Sequence, residues 1–262
     1  MSLSVFHVDA FTAKAFGGNP AAVCPLTEWL DDDCLQLVAA ENNLSETAYF
    51  LPHGDYYELR WFTPRCEVRL CGHATLASAF VIMQLLSPGL NSVRFETRFS
   101  GELAVSRQDD LLAMDFPALT PWDCANPPTA LIEGLGQPPA SVMQIDDNCF
   151  AIYASQDDIA RIRPDFRLLE KLHPAGVAIT APGDDADFVS RYFAPSYGVP
   201  EDPVTGSTHC SLAPYWSKRL GKTKLHARQV SERGGELWCE VKRERVVIKG
   251  KAVLTLRGEL LI

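Results

Sequence analysis

A five-residue echo constrains this chain more than any other feature. Arg60-Trp61-Phe62-Thr63-Pro64 returns as Arg191-Tyr192-Phe193-Ala194-Pro195. Each copy runs through a loop to a glycine and an apolar helix start: Gly72-His73 after the first, Gly206-Ser207 after the second, with three more residues in the second gap. A repeated order of strand, loop, glycine and helix implies two similar lobes. The length of 262 residues suits one large domain or two of about 130. Pro117, Pro121, Pro127 and Pro128 crowd a stretch of little periodicity near the middle and make it the linker candidate. The expected lobes are therefore 1–117 and 118–262, with the last strand a candidate to return to the first lobe.

The fold class expected is α+β with many short strands. Strand patterning runs over Ser4–Phe11 and Ala21–Cys24, parted by the turn cluster Gly17-Gly18-Asn19-Pro20. Asp31–Ala40 has helical spacing, and Thr47–Leu51 with Tyr56–Thr63 reads as a hairpin around His53-Gly54-Asp55. Ala74–Leu86 is apolar on nearly every face, so its helix belongs inside something. Strands are expected again at Ser92–Glu96, Gly101–Gln108, Leu111–Phe116, Met143–Ala154, Gly176–Thr180 and Phe188–Phe193, and in three segments between Leu237 and Arg257. Short helices are expected at Pro164–Leu172 and Tyr215–Leu220.

Composition excludes several classes. The chain is 47% hydrophobic with a net charge of −9, and it carries no basic stripe, so a nucleic-acid footprint is missing. No apolar stretch approaches the roughly 18 residues that span a bilayer, so no membrane partner is expected. The first residues show no basic segment followed by an apolar one, and the eight cysteines sit mostly in apolar or strand-like contexts. Reduced thiols in a cytoplasmic protein are the expectation. Cys66, Cys71 and His73 lie close in sequence, as do His209 and Cys210, but none has zinc-site spacing, so no metal is expected.

The two helix starts carry the chemistry. A helix N-terminus offers unpaired N–H groups and partial positive charge, which suits a carboxylate, and glycines at 72 and 206 let a ligand approach the backbone closely. Either glycine alone reads first as a turn; their pairing within a repeat favours the binding role. In Glu201-Asp202-Pro203-Val204-Thr205-Gly206-Ser207, the proline holds Asp202 extended, where its side chain can accept from Ser207 or His209 or cap the next turn. Ser207, taken alone, reads as an N-cap. Glu46, in Asn43-Leu44-Ser45-Glu46-Thr47-Ala48, has no basic partner in its own segment. Local context makes it a surface glutamate; in an apolar cleft it could take and return a proton near neutrality. His209, His226 and the Arg233-Gly234-Gly235 turn read as structural.

Together, NLSETA (43–48), RWFTPRCEVRLCGHA (60–74), SRYFAPSYGVPEDPVTGS (190–207), QVSERGG (229–235) and FGGNPAAV (16–23) resemble, in order and spacing, the PhzF-like family of isomerases and epimerases. That resemblance implies a diaminopimelate epimerase-like fold: two pseudo-symmetric lobes, each a mostly antiparallel sheet curled around a central helix. It implies that Glu46 relays a proton between two carbons of a small carboxylate substrate in the interlobe cleft. His73, Asp202 and Ser207 match the family's other catalytic positions, and Asn19, Ser45, Gly72 and Gly206 fall in the matching segments as substrate-binding candidates. No cofactor is implied, and a homodimer is expected by analogy.

Two departures bear on the transfer. Cys71 stands where related epimerases and racemases carry one of two catalytic thiols, and Thr205 fills the other position; Arg69 replaces an expected Asp or Pro. The leading reading is a proton-moving isomerase. A cysteine-assisted epimerase using Cys71 and a catalytically silent binding member are the alternatives.

Overall fold

A computed structural model of the chain describes residues 2–146, 148–172 and 176–262. The chain divides into two compact units, Met1–Asp115 with Ile248–Ile262, and Phe116–Val247.

The first unit contains β1 (Ser2–Ala10), β2 (Asn19–Pro25), α1 (Asp32–Asn42), β3 (Glu46–His53), β4 (Tyr56–Phe62), β5 (Glu67–Val68), α2 (Gly72–Val81), β6 (Ser92–Thr97), β7 (Gly101–Gln108) and β8 (Leu111–Pro117). β1 pairs antiparallel with β2 and with the C-terminal strand Ala252–Leu261. β2/β3 and β4/β6 are parallel, while β3/β4 and β6/β7 are antiparallel.

α2 packs on β1, β2 and β3 and buries every residue from His73 to Ala79, as its lack of a polar face requires. A π-helical turn, Ile82–Leu86, closes it. β2 is buried on both sides. Ala22 and Cys24 join a cluster with Leu35 and Val38 of α1, and Ala21 and Val23, of opposite parity, are equally buried.

The second unit contains β9 (Trp122–Asp123), α3 (Thr129–Leu135), β10 (Ser141–Ile145), β11 (Asn148–Ile152), α4 (Gln156–Arg161), α5 (Phe166–Leu169), β12 (Gly176–Pro182), β13 (Phe188–Ala194), β14 (Val199–Asp202), α6 (His209–Leu220), β15 (Lys224–Gln229) and β16 (Gly235–Lys242). Its pairings repeat those of the first unit in kind. β10/β11 is antiparallel, β11/β12 parallel, β12/β13 antiparallel, β13/β15 parallel and β15/β16 antiparallel. Leu131, Leu135, Ile159, Ile162 and Leu169 of the three small helices and their ends cover one sheet face, against Val177 and Ile179. Asp147, inside the expected strand stretch 143–154, lies outside the described residues.

Atomic detail carries the repeat further than the echo does. Arg60 makes a two-pronged ion pair with Glu67 at 2.7 and 2.9 Å, and Arg191 makes one with Glu201 at 2.8 and 2.9 Å. Each guanidinium also lies over the phenylalanine two residues on, at 5.1 Å for Phe62 and 5.0 Å for Phe193. Ser100 donates to the Arg69 carbonyl at 2.8 Å, and Ser231 donates to the Pro203 carbonyl at 2.7 Å. The second copy inserts three residues between its arginine and its glutamate, and the same offset holds to the glycine before the helix.

Several elements differ from the expectations. The proline-rich stretch is pinned in place: β9 pairs with β10, and the Leu119 N–H donates to the Cys210 carbonyl at 2.9 Å. That carbonyl is available because Pro214, inside α6, has no N–H to offer it. α6 thus begins before its proline, not after it as the sequence pattern suggested. α3, α4 and β15 were not expected; two are short helices of one or two turns, and β15 puts a buried Gln229 where a strand pattern calls for an apolar residue. Among the described residues no helix is long and apolar enough to cross a membrane, and all eight cysteines are free thiols.

The sheet packing sets a testable limit at Gly176, where a Cβ would collide with the Tyr192 hydroxyl. Gly176→Ala is expected to cost about 1–3 kcal/mol in urea denaturation. Gly72→Ala, whose Cβ would meet nothing within 4 Å, is expected to change stability by less than about 0.5 kcal/mol.

Candidate functional site

In the first unit the left-handed Asn43 ends α1, and a bend through Ser45 delivers Glu46 as the first residue of β3, in register with Ala21 of β2. Asn19, the first residue of β2, is fully buried; Ser45 is half-buried. The hairpin partner β4 leads through β5 to Cys71, Gly72 and His73 at the start of α2.

These two routes meet. His73 Nε2 lies 3.1 Å from Glu46 Oε2, with side-chain exposures of 7% and 18%. The contact is short but poorly aligned, since neither atom completes a well-directed hydrogen bond. His73 Nδ1 lies 3.4 Å from the Cys71 sulfur. Glu46 has therefore gained a basic neighbour from another element, and it is no surface glutamate.

Burial pushes the Cys71 thiol up to about 11, with the Glu46 charge acting in the same direction and His73 and the Ala74 N–H offsetting only part. For His73, burial works against the charged ring, but the neighbouring Cys71 and Glu46 outweigh it and hold its pKa well above the ordinary value. With the thiol neutral near pH 7, the carboxylate is the charge that sustains the imidazolium.

Glu46, Cys71 and His73 present donor atoms within 4.8 Å of one another, a grouping compact enough to consider for a metal ion. The geometry fits proton handling better. Thiol and carboxylate approach opposite edges of one ring, and an ion held by one imidazole nitrogen leaves the third group on the far side. Ligation would also require both thiol and imidazolium to lose protons.

α2 starts without a Ser, Thr, Asp or Asn cap, and the space beside Gly72 is open. The first-turn N–H groups and the dipole of a ten-residue helix thus serve the region where His73 sits.

The second unit gathers a different set of groups. Asp202 ends β14, and its Oδ2 accepts from the Thr205 hydroxyl at 2.5 Å. His209 Nδ1 lies 2.8 Å from the Thr205 carbonyl; the carbonyl can only accept, so Nδ1 carries the hydrogen. Ser207 is exposed and is not the cap that its position suggested: a turn through Gly206-Ser207-Thr208 precedes α6, and Thr208 holds the cap position. Gly206 is buried in that turn. Arg69 is exposed, with its guanidinium over the Phe99 ring at 5.4 Å.

Sequence reasoning missed Gln229, which binds the Thr205 N–H at 2.9 Å and the Asp202 carbonyl at 2.8 Å. Its only sequence signal was membership of the QVSERGG segment. It also left His209 as structural, and the structure gives that residue a place in holding the Thr205 turn.

A repeated α+β unit with titratable side chains gathered at the start of a buried helix is an epimerase-like architecture. The family model for phenazine biosynthesis-like proteins (PhzC-PhzF) matches residues 8–258, and the chain belongs to that family. A Pseudomonas aeruginosa protein named as an uncharacterized isomerase is 54% identical over 260 residues, 99% of each chain. The crystal structure of a PhzF-family phenazine biosynthesis protein from Enterococcus faecalis matches with a TM-score of 0.95 at 44% identity, covering 100% of both chains. A hydroxyproline epimerase from Agrobacterium vitis, 12% identical with a TM-score of 0.61 over 99% of this chain and 92% of its own, shares the fold. The chain is an isomerase.

The two buried histidines are expected to titrate in opposite directions. By NMR, His73 should remain protonated at pH 7 and lose its proton at lower pH in Glu46→Gln, which removes the sustaining charge. His209, lowered to about 4 by burial, stays neutral while an unfolded histidine binds a proton below roughly 6.5. Its contribution to stability should therefore be fully present above that value and fall as pH drops to about 4, by up to ~3 kcal/mol relative to His209→Gln in urea titrations.

Proposed function

We propose that this isomerase moves a proton within a small carboxylate-bearing substrate, with Glu46 as the acid/base. The buried contact of Glu46 with His73 at an uncapped helix start supports this reading, because a carboxylate able to take up a proton stands near first-turn N–H groups of the kind that suit a substrate carboxylate. The Glu46 carboxylate removes a proton from a carbon near the substrate carboxylate, leaving the electron pair delocalised as an enolate-like charge. After its proton has exchanged with solvent, the Glu46 carboxyl gives one back to another carbon, so Glu46 ends as it began and the substrate's atoms are conserved. N–H groups at Gly72-His73 and at Gly206-Ser207 are the assigned stabilisers of that charge, which is the usual source of rate for such carbon acids.

His73, as imidazolium, faces the Glu46 carboxylate and then its protonated form as the proton is taken up. Asp202 is assigned to hold or accept a proton, and exposed Ser207 to orient the substrate. Asn19 and Ser45 are the further substrate-binding candidates, Ser45 by adjacency to Glu46 and Asn19 by its place at the head of the strand next to β3.

One observation favours a second reading. The Cys71 sulfur lies 3.4 Å from His73, the spacing of a thiol with its base, as a cysteine-assisted epimerase requires. Its high proton affinity argues for packing instead.

Proton exchange in D2O, followed by mass spectrometry and NMR over a panel of small cyclic and amino carboxylates, separates the two. Wild type and Cys71→Ser are expected to place deuterium in one compound, and Glu46→Gln to do so at least about 100-fold more slowly. Exchange lost in Cys71→Ser but intact in Glu46→Gln would assign the chemistry to the thiol.

A further inference from the structure

A cleft of about 820 Å3 in the second unit is lined by none of the groups assigned to proton transfer. On one side is the edge strand β9, where Trp122 stands 50% exposed. On the other is the second half of α6, with Pro214, Tyr215, Lys218 and Arg219; Met143 of β10 also lines the cleft. Its volume falls in the range of small-molecule sites.

Both sides are fixed within the fold. Trp122 and Asp123 pair with Gln144 and Met143, and the flanking Leu119 and Cys124 N–H groups donate to the Cys210 and Val142 carbonyls at 2.9 Å each. A strand of two residues gains little order from its own length, so these bonds are what hold the indole in place. Tyr215 stands edge-on to Trp216 at 5.3 Å, and Trp216, fully buried, stacks on Phe188 at 5.8 Å. Arg219 lies over the Trp216 ring at 5.8 Å and donates to the Tyr215 hydroxyl at 3.3 Å. Ordering costs that a ligand would otherwise meet on binding are thus already met by the fold.

The charges point to the kind of ligand. Among the described residues, neither Lys218 nor Arg219 has a carboxylate within ion-pair distance. Asp123 is the one acid among the described lining residues, so two cations against one acid leave the cleft locally cationic in a chain of net charge −9. The dipole of α6 accounts for cations in its last turn. It gives no reason for a tryptophan held half in water across from them. Exposed aromatic faces beside a net single positive charge match an aromatic monoanion; a doubly charged group would meet Asp123.

We propose that this cleft is a second binding site, for a small aromatic carboxylate, with the ring packed on Trp122 and Tyr215 and the carboxylate facing Lys218 and Arg219. It is separate from the Thr205–Ser207 turn, because Lys218 and Arg219 end the helix that His209 begins, roughly 14 Å further along its axis. The site therefore stands whether or not Glu46 carries the isomerase chemistry.

The test uses 2-naphthoate as the probe on the full chain, read on the Trp122 indole N–H in 15N-labelled protein, with that signal identified by its loss in Trp122→Phe. Reading one indole keeps this site apart from any carboxylate taken up at Gly72. 2-Naphthoate is expected to shift the signal saturably, with half-saturation below about 1 mM. Uncharged 2-naphthamide should bind at least about 5-fold more weakly, and acetate, which has the charge without the ring, should leave the signal unmoved. Lys218→Gln and Arg219→Gln should each weaken 2-naphthoate by about 3-fold, as should added salt, and Asp123→Asn should tighten it by about 2-fold. All three positions are exposed, and the wild-type comparisons stand without the variants.

Equal binding of 2-naphthamide would make the cleft a plain apolar groove and overturn the proposal. So would a signal unmoved by 2-naphthoate through the millimolar range, or unchanged affinity in the three charge variants. A Trp122 signal that shifts with protein concentration alone, beside a doubled mass by light scattering, would give this face to a second copy of the chain and overturn it as well.

Discussion

Two largely shielded arginine–glutamate pairs hold this structure in working shape. Arg60 with Glu67 and Arg191 with Glu201 each tie a central strand to the short strand that follows it, and so set where the next loop ends and the next helix begins. The pairs are mostly shielded from water, with arginine exposures of 12% and 11%. Removing one member of such a pair leaves a desolvated charge and typically costs about 3–5 kcal/mol. The energy of the intact pair matters less than its geometry. A forked guanidinium meets a carboxylate in one orientation, and its outer face is occupied by a phenylalanine ring. Arg191 adds bonds to the Ile159 and Ile162 carbonyls at 2.9 Å each, so it also anchors the end of α4. Cys71–His73 and Thr205–Ser207 inherit their positions from these clamps.

On that common frame the two units have diverged in what they carry. Thr47 pairs with Phe62 as Val177 pairs with Phe193, so Gly176 stands where Glu46 stands. No side chain fits at 176, because the Tyr192 hydroxyl occupies the space and bonds Asn148 at 2.8 Å. The first unit keeps the glutamate and adds a histidine and a thiol; the second gives up that position and builds an aspartate fixed by threonine and glutamine. The buried histidines differ for the same reason. His73 has a carboxylate at hand and holds its proton, whereas His209 lies tilted against Phe188, bonds a carbonyl and stays neutral.

Much of this was legible beforehand, and what was not has identifiable causes. The echo was readable because the clamp needs Arg, an aromatic and a turn at set spacing. The buried helix was readable because a segment without a polar face has nowhere else to go. Glu46 and His73 were singled out by their motif surroundings, but their 3.1 Å contact joins residues 46 and 73 across two elements, and no local pattern reports that. For Asp202 the sequence left a bond from Ser207, one from His209 and a cap on the next turn all open; the structure shows the Thr205 hydroxyl on its carboxylate, because the turn after Pro203 folds that hydroxyl back. Gln229 escaped notice because a buried glutamine in a strand looks like a surface residue until its three partners are seen.

By itself the sequence determined the repeated α+β plan, the family, and the short list of groups able to carry protons, because these depend on periodicity, turn chemistry and residue type, which are local properties. Only the tertiary structure decided which of those groups meet, which nitrogen of His73 faces the carboxylate and which faces the thiol, and which oxygen of Asp202 receives the Thr205 hydrogen. Those outcomes depend on distances of about 3 Å between segments far apart in the chain, and at that range the strength of charge and hydrogen-bond interactions is set by packing and burial rather than by sequence neighbours.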